Sequence, residues 1–345
     1  MRHCDVVAGD RALLDQEVLI ALGAAVKDAG ALLGEMGLKR RSRFAMAACL
    51  LGANAPDIDV FAPLAFPVDG IEFHRGPLHA VFAWPFLAAA IVIILSLVDR
   101  LRPAPPDALP FRAGPLFGVA FLAVLTHPFL DWLTTYAIAL LAPVNWHWSS
   151  GNAIFIIDWV YWILMIAGIS WSASRWRRGA ENPGRPAQIA GVIMLGYIAF
   201  NLGESARLEQ ATAERLRVRG IEPALVVASP PPLAFWNRRL LWRSADRWGS
   251  GAYDMNQGLT LDPASHPTNL DDPRLAAAAR RDQHVRAFLV WSRMPVVVSE
   301  DGKAYLTDQR FFGRTIRIGR RSSNAREAYR FDPFLIPLDN PEPSS

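Results

Sequence analysis

Residues 115–141 read PLFGVAFLAVLTHPFLDWLTTYAIALL, an almost unbroken apolar stretch that contains one histidine, His127, and one acidic residue, Asp131. About 20 apolar residues in a helix cross the hydrocarbon core of a bilayer, so this stretch predicts a transmembrane helix. Polar side chains at membrane depth are costly and usually face protein or water. The stretch therefore predicts a membrane fold with a functional site in it.

Three further segments are long and apolar enough to span a bilayer: residues 78–98, 153–171 and 187–203. Two less apolar helices are expected before them, at about residues 14–36 and 43–54. We therefore predict a mainly α fold, a polytopic helical membrane bundle.

The chain becomes more polar after the last predicted span. A triple proline at residues 230–232 and an Asp301-Gly302 turn between the apolar runs VVV and AYL indicate β structure. We predict three parts: a divergent N-terminal segment (1–29), a membrane helical domain with the candidate metal site (30–204) and a C-terminal β-rich extramembrane domain (205–345).

The composition agrees with a membrane protein, since 52% of the residues are hydrophobic and 20% are charged, with a mean hydropathy of +0.16. The net charge of +4 lies mostly in short clusters beside apolar runs, which is typical of membrane topology signals. We expect membrane lipids and no nucleic acid as partners. The two cysteines, Cys4 and Cys49, lack metal or redox spacing, so a metal would need imidazole and carboxylate ligands.

Clustered positive charge occupies three short loops, at residues 39–43, 100–112 and 175–185. If the helices alternate in direction, these loops lie on one side, which the positive-inside rule assigns to the cytoplasm. The loops 55–77 and 142–152, the candidate site and the C-terminal domain then face outward. No cleavable signal peptide is apparent, so insertion is expected to use internal spans.

The first motif with chemical potential is Pro56-Asp57-Ile58-Asp59, at the end of a helix of small residues. Two carboxylates two residues apart in a turn can converge on one cation, whereas on a regular helix they would diverge. The same pair could instead be a solvated turn or a helix cap.

The second motif is His74-Arg75-Gly76-Pro77-Leu78-His79, which opens the first predicted span. Its Gly-Pro pair bends the chain, so the two imidazoles need not follow helical spacing and could approach one metal centre or two. Arg75 could hold a phosphate or carboxylate through two hydrogen bonds. Histidine and arginine at a span terminus are also common interfacial anchors.

The third motif is Thr126-His127-Pro128-Phe129-Leu130-Asp131. His127 and Asp131 are four residues apart and share a helix face, an arrangement that binds divalent metals in known helices. A simple hydrogen-bonded His-Asp pair is the alternative, although such pairs also accompany metal sites.

A fourth candidate, Asp158, lies near the outer end of the predicted span at 153–171. Isolated intramembrane carboxylates are usually functional, so Asp158 could be a ligand or a general base. His147 stands between Trp146 and Trp148, a pattern that an aromatic membrane-interface belt explains without chemistry. We therefore include Asp158, but not His147, among the candidate site residues.

Together the motifs bring three histidines and three or four aspartates to the same predicted end of the bundle. Nitrogen and oxygen ligands suit zinc, manganese or iron better than calcium. A bound metal of this kind lowers the pKa of water and polarises phosphoryl or acyl oxygens. Hydrolysis is therefore the leading reaction class.

The run from Gly37-Leu38-Lys39 through PDID, HRGPLH, THPFLD and FIIDW closely resembles the YdjM-like family of bacterial inner-membrane proteins, described as metal-dependent hydrolases, over about residues 30–205. The resemblance implies metal dependence; with the ligand types above we expect a divalent metal, zinc ahead of manganese or iron, and the charge pattern predicts that the site faces the periplasm. A more distant similarity, to the helical zinc-dependent phospholipase C and single-strand nuclease superfamily, implies phosphoester cleavage. By position, the residues that match the family's polar motif positions are Asp57, Asp59, His74, His79, His127 and Asp131, and Asp158 matches an acidic position.

One position departs from the family pattern. The family has a Thr-His dipeptide on its first helix, a few residues before a glycine that Gly30 matches. Counting back, Val26 stands in the place of that histidine. One expected ligand is therefore missing, which leaves full metal occupancy open.

The sequence thus predicts a membrane-bound metal-dependent hydrolase of a phosphoester or lipid-linked substrate, in which metal-activated water attacks and Arg75 steadies the anion. One alternative is a non-enzymatic membrane protein that binds or conducts a metal ion or proton, which a continuous polar path would favour. Another is a scaffold for a periplasmic partner, which exposed aromatic patches around Trp236, Trp242 and Trp248 would favour.

Overall fold

The computed structural model describes residues 29–156, 158–300, 302–312, 314–315, 330–331 and 334–339. These residues form two compact units. The first contains the described residues up to Ala206 together with Ser229–Trp236, and the second contains Arg207–Ala228 and the described residues from Asn237 onward. Val26 and nearly all of the predicted N-terminal segment 1–29 lie outside the described residues, so the structure leaves that prediction as it stood.

The first unit is helical and carries the candidate site. Short 3₁₀ segments occur at Leu38–Arg40 and Ala55–Phe61. The last helix of the unit continues into the second unit from Arg207 onward. The helices are α1 (29–35), α2 (Ala45–Asn54), α3 (Ala62–Ala65), α4 (Gly70–Phe73), α5 (Trp84–Leu101), α6 (Ala113–Leu133), α7 (Trp159–Arg177) and α8 (Arg185–Val218).

Four segments are long and apolar enough to cross a membrane: Ala45–Ala65, Trp84–Leu101, Ala113–Leu133 and Arg185–Val218. The sequence predicted four such segments, and three of them coincide with α5, α6 and α8. A mostly helical protein with several apolar spans, as predicted, is therefore the observed architecture.

The fourth predicted span, at 153–171, does not match. The helix there, α7, begins later and carries three serines and Arg175 in its second half, and it is not among the four apolar segments found in the described residues. The fourth apolar segment is instead Ala45–Ala65, where we predicted only a less apolar helix at about residues 43–54. In addition, α6 ends at Leu133 rather than near residue 141, because the chain turns out of the helix at Thr134.

Helices α2, α5 and α6 enclose a core of small and aliphatic side chains, including Ala48, Ala88 and Ala120. Helix α2 lies very close to α6 at Gly52, where a Cβ atom would overlap the Ala123 side chain and the Ala120 carbonyl. A glycine is therefore required at this crossing. This close approach brings the end of α2 beside the polar residues of α6.

The three basic loops meet at one end of the first unit. Arg43 binds Asp99 with an Nη1 to Oδ1 distance of 2.5 Å, and Ser42 Oγ accepts a hydrogen bond of 2.8 Å from the Arg112 amide. The indole of Trp176 donates to the Glu35 carbonyl at 3.3 Å. These contacts place the loops on the same side of the bundle, as the charge pattern predicts. Which side of the membrane this end faces stays a prediction.

The described residues of the second unit form antiparallel sheets, helices α9 and α10 and the end of α8, in agreement with the predicted β-rich region. A five-stranded sheet has the order β1-β2-β3-β4, with β5 paired to β3, and a three-stranded sheet has the order β10-β7-β6. A further pair joins β8 and β9. The elements are β1 (Leu225–Ser229), β2 (Arg238–Arg243), β3 (Arg247–Asp254), β4 (Gly258–Leu261), β5 (His266–Pro267), α9 (Pro273–Arg281), α10 (Gln283–Trp291), β6 (Pro295–Glu300), β7 (Lys303–Asp308), β8 (Arg314–Thr315), β9 (Arg330–Phe331) and β10 (Ile336–Pro337).

The predicted hairpin turn is present, because Glu300 pairs with Lys303 at the junction of β6 and β7. Gly302 has a φ of 78°, which favours glycine. By contrast, the aromatic patch proposed for a scaffold is not supported at its centre. Trp242 is only 2% exposed, because its indole packs against Gly249 of the neighbouring strand.

Candidate metal centre

The two polar residues of α6 both lie inside the first unit. His127 and Asp131 are 1% and 3% exposed, and their positions four residues apart put them on one helix face. The Nδ1 atom of His127 lies 2.6 Å from the Ala53 carbonyl oxygen at the end of α2. Because a carbonyl can only accept, Nδ1 carries the proton and the Nε2 lone pair is available to a cation.

Asp57 and Asp59 lie in the 3₁₀ segment that continues α2, and they face different partners. Asp57 Oδ1 is 3.1 Å from His127 Nε2, and its side chain is 35% exposed. Asp59 is buried, and its Oδ1 is 2.8 Å from His74 Nδ1. Its Oδ2 accepts a hydrogen bond of 3.1 Å from the backbone amide of Arg75. The two carboxylates thus have different nearest partners, although each offers an oxygen to a group of possible ligands with His74 whose atoms lie within 4.8 Å of one another; their sharing of one cation stays a prediction.

The loop from His74 to Ala83 brings His79 into the bundle. It needs a turn at Arg75, whose φ is 63°, and a glycine at position 76, where a Cβ atom would meet the Trp146 ring and the Phe73 carbonyl. The loop is held in place from outside by a small hairpin that follows α6. The Ala139 amide donates to the Arg75 carbonyl at 3.0 Å.

Four atoms from three separate segments converge: Asp57 Oδ1, His79 Nε2, His127 Nε2 and Asp131 Oδ2. All four lie within 4.8 Å of one another. Asp131 Oδ2 is 3.3 Å from His79 Nε2 and 3.4 Å from His127 Nε2. Facing lone pairs repel unless a proton or a metal ion lies between them, and two imidazole nitrogens with two carboxylate oxygens form a donor set that can hold a divalent metal.

The hydrogen-bonding pattern of these atoms supports the same interpretation. Neither ring nitrogen of His79 has a hydrogen-bond partner of acceptable geometry, and the same holds for Asp131 Oδ2, although all three atoms are buried. Buried polar atoms are nearly always satisfied. A cation at the centre of the four atoms would satisfy His79 Nε2 and Asp131 Oδ2 together.

Asp59 lies on the opposite side of the His79 ring from this cluster. Its Oδ2 is 3.0 Å from His79 Nδ1, so it can orient the ring and keep Nε2 directed at the other ligands. A second group of possible ligands, Asp57, Asp59 and His74, shares Asp57 with the first. The six residues predicted as ligands are therefore all in one place, in two overlapping groups.

Electrostatics also favour a cation in this cluster. Burial alone would lower the pKa of His79, but the neighbouring carboxylates of Asp131, Asp57 and Asp59 raise it well above its ordinary value. If the histidines are neutral, the carboxylates of Asp57, Asp59 and Asp131 and the guanidinium of Arg75 together carry a formal charge of −2. A divalent cation would neutralise this charge.

Arg75 is buried and adjoins the cluster. Its Nη2 atom lies 3.0 Å from Asp131 Oδ1, and its guanidinium stands 5.2 Å from the centre of the Tyr136 ring. Its Nη1 atom is buried without a hydrogen-bond partner. Arg75 therefore holds the carboxylate of Asp131 in place and retains a donor for a further anion.

Asp158 lies at the start of α7, outside the four-atom cluster. It caps the start of α7, accepting a hydrogen bond of 3.0 Å from the Tyr161 amide, and its other oxygen accepts one of 2.7 Å from the Tyr197 hydroxyl. It belongs to neither ligand group among the described residues. Both carboxylate oxygens therefore have partners that stabilise helix packing, and the predicted catalytic role stays a prediction.

Three features of the site could not be identified from the sequence. They are the Ala53 carbonyl behind His127, the Tyr136 ring beside Arg75, and Trp84, whose indole donates to the His79 carbonyl at 3.0 Å. A backbone carbonyl and single aromatic residues leave no distinctive pattern in an apolar chain. Only their position in space reveals them.

Comparison with known proteins finds one family model that matches this chain. The family model described as YdjM inner membrane protein matches residues 20–208, a range that contains every residue of the candidate centre. One curated relative, the uncharacterized protein YfhP of Bacillus subtilis (strain 168), is 26% identical over 251 residues, which cover 72% of this chain and 70% of the relative. No solved structure matches.

Proposed function

Because this chain belongs to the YdjM family of inner membrane proteins, we propose that it is a membrane-bound, metal-dependent hydrolase of phosphoesters. The observation that carries the proposal is the convergence of two imidazole nitrogens and two carboxylate oxygens within 4.8 Å. Zinc fits this donor set best, since imidazole and carboxylate both bind it and it stands above manganese and iron in affinity.

The site has an accessible side. Asp57 is the most exposed of the four ligands, with 35% of its side chain exposed, whereas His79 and His127 are closed off. Water and substrate would therefore approach beside Asp57. There its carboxylate can accept a proton from the attacking water.

The reaction needs a positive group for the substrate anion as well as an activated water. A bound divalent metal lowers the pKa of water at such a site. The Nη1 atom of Arg75, beside Asp131, can donate to a phosphoryl oxygen as negative charge develops there. Water oxygen then forms a bond to phosphorus, the bond to the leaving alcohol breaks, and the alcohol takes up the proton.

The proposal includes an orientation. The three basic loops lie together at the end of the bundle that carries Glu35 and Asp99, and the positive-inside rule assigns this end to the cytoplasm. The centre, at the other ends of α2 and α6, would then open to the periplasm. The chain that leaves α8 would continue on the same periplasmic side.

Ion conduction is the weaker alternative. The core beneath the centre, between α2, α5 and α6, consists of alanine, leucine, valine and similar side chains. A conduction path needs polar groups along its length. Those described for this centre gather at one end.

The proposal is tested by metal analysis of the purified full-length protein and its variants. We expect about one equivalent or more of bound divalent metal in the unaltered protein and its loss in His79→Ala and His127→Ala. His147→Ala is the matched control, because His147 is exposed and lies outside both ligand groups. Full metal binding in both site variants would defeat the proposal.

Activity is tested separately, with soluble phosphate monoesters and diesters as substrates. Hydrolysis by the metal-loaded protein, lost in His127→Ala and retained in His147→Ala, would support a hydrolase. Metal binding without hydrolysis of either ester class would favour a protein that binds the ion without catalysis.

A further inference from the structure

A polar cavity of about 470 Å³ lies in the first unit, at the end that carries the basic loops. It is formed where α1 and α7 end and where α8 begins. Its lining includes Arg40, Arg185, the amide side chains of Asn182 and Gln188, and the Trp176 ring. None of the described residues in the lining is acidic, so the cavity wall carries two positive charges.

The two arginines of this cavity are available to a ligand. Both are exposed, and among the residues that the structure describes neither forms an ion pair with a carboxylate. The Arg40 guanidinium stands over the Trp176 ring, 5.5 Å from its centre. The adjoining Glu35 does not neutralise them, because Lys39 Nζ binds both of its carboxylate oxygens, at 2.7 and 2.8 Å. The cavity therefore suits an anion such as a phosphate group.

A second cavity, of about 390 Å³, adjoins the first and extends toward the middle of the unit. The two cavities share Met36 and Gln188 in their linings, and Gln188 Nε2 donates to the Met36 carbonyl at 2.8 Å. The walls of the second cavity are mostly apolar and include Leu32 of α1 and Val192 and Leu195 of α8. A polar, positively charged cavity thus leads into an apolar groove.

The groove has about the length of one bilayer leaflet. Its lining on α8 runs from Gln188 to Ile198, a distance of about 15 Å along a helix that rises about 1.5 Å per residue. The hydrocarbon core of a bilayer is about 30 Å thick, so each leaflet contributes about 15 Å. Helix α8 is apolar enough to cross a membrane, and Val192 and Leu195 are 69% and 60% exposed. The groove is therefore open to lipid and fits an acyl chain of the leaflet at the basic end.

We propose that the polar cavity and the groove together bind one anionic phospholipid, with its phosphate beside Arg40 and Arg185 and an acyl chain along α1 and α8. Basic pockets between membrane helices recognise such headgroups. A zwitterionic lipid fits less well, because its ammonium group would lie near the same two guanidinium groups. The site is at the opposite end of the bundle from the candidate metal centre, so the proposal does not depend on the hydrolase function.

The test uses phosphatidylglycerol with a diazirine in one acyl chain, at low mole fraction in dioleoylphosphatidylcholine vesicles that contain the full-length protein. We expect saturable crosslinking that maps to the groove residues of α1 and α8. Arg40→Gln combined with Arg185→Gln should weaken this binding roughly 25-fold, since each basic residue near an anionic headgroup contributes roughly fivefold. Arg177→Gln combined with Arg178→Gln is the matched control, because it removes the same charge from exposed residues at the same end, outside the lining.

A second pair of variants tests the groove without a change of charge. Val192→Trp fills the groove and should lower the crosslinking roughly tenfold. Ile193→Trp is its matched control, because Ile193 is the next residue of α8, is 50% exposed and lies outside the lining. Both positions are exposed, so neither substitution disturbs the packed core.

Losses in the Arg40 and Arg185 double variant and in Val192→Trp, with both controls unchanged, support the lipid site. An equal loss in the Arg177 and Arg178 control would show general attraction of a charged surface to the membrane and would overturn the site. Equal saturable crosslinking by labelled phosphatidylcholine, or displacement of the label by inorganic phosphate with Val192→Trp unaffected, would also overturn it. If the arginine double variant has a lowered unfolding temperature, the two single variants replace it, each with an expected loss of roughly fivefold.

Discussion

The Asp59→Asn variant tests whether Asp59 orients His79 or binds the metal itself. The side chain of Asp59 is fully buried and serves three partners: His74 Nδ1 at 2.8 Å, His79 Nδ1 at 3.0 Å and the Arg75 amide at 3.1 Å. Asparagine keeps the shape and one acceptor oxygen but removes the charge. Because an ionised carboxylate attracts an imidazole N–H more strongly than a neutral amide oxygen does, the His79 ring would be held less firmly.

The expected effect is intermediate in size. Loss of an orienting partner typically weakens metal affinity about 10- to 100-fold, which is about 1.4 to 2.8 kcal/mol. A direct ligand should cost far more, so Asp131→Asn, whose Oδ2 lies within the four-atom cluster, serves as the reference for complete loss. The sequence alone ranked Asp57, Asp59 and Asp131 as equal ligands, so this variant distinguishes the two interpretations.

Metal affinity would be measured by competition with a chromophoric chelator on the purified protein in detergent. Asp69→Asn is the matched control, because Asp69 caps α4 through the Ile71 amide at 2.9 Å and asparagine caps equally well. An Asp59→Asn affinity within twofold of the unaltered protein would refute the orienting role. A loss as complete as that of Asp131→Asn would instead make Asp59 a direct ligand.

Three further outcomes follow from the packing and the charges. Gly52→Val should lower the thermal unfolding temperature and the metal content together, at a cost of about 1–3 kcal/mol, because its side chain would overlap α6; unchanged melting would contradict the close crossing. Arg75→Lys should retain bound metal but lower kcat for a phosphoester roughly tenfold or more, since lysine lacks the planar fork; an unaltered kcat would remove Arg75 from the anion site. In the second unit, Asp308→Asn should destabilise the fold by about 3–5 kcal/mol, because it leaves the buried Arg310 without its anion. Burial raises the pKa of Asp308, but Arg310 has the larger opposite effect, so the net pKa lies below its ordinary value. The stability from this pair is therefore present at neutral pH and is lost as the pH falls through the lowered pKa. A free energy of unfolding, measured with denaturant, that does not decrease in acid would contradict it.

The sequence by itself determined the class of the protein and the residues of the candidate centre. Apolar runs such as 84–101 can only be accommodated in a bilayer or a core, so their length predicts spans without knowledge of the fold. Histidine and aspartate are rare inside such runs, which is why His127 and Asp131 were identifiable as candidates. The alternating positions of the basic loops likewise predicted that they would meet at one end.

Only the tertiary structure decided what each of these residues contacts. The Nδ1 atom of His127 donates to the Ala53 carbonyl, 74 residues earlier in the chain, and this hydrogen bond fixes the tautomer of the imidazole. The contact depends on Gly52, which lets α2 approach α6. The sequence made Asp158 a candidate ligand or general base, and only the fold shows that it caps the start of α7. Composition and local spacing determine which groups a chain must shelter from lipid, whereas long-range packing of backbone against backbone determines which of them face one another.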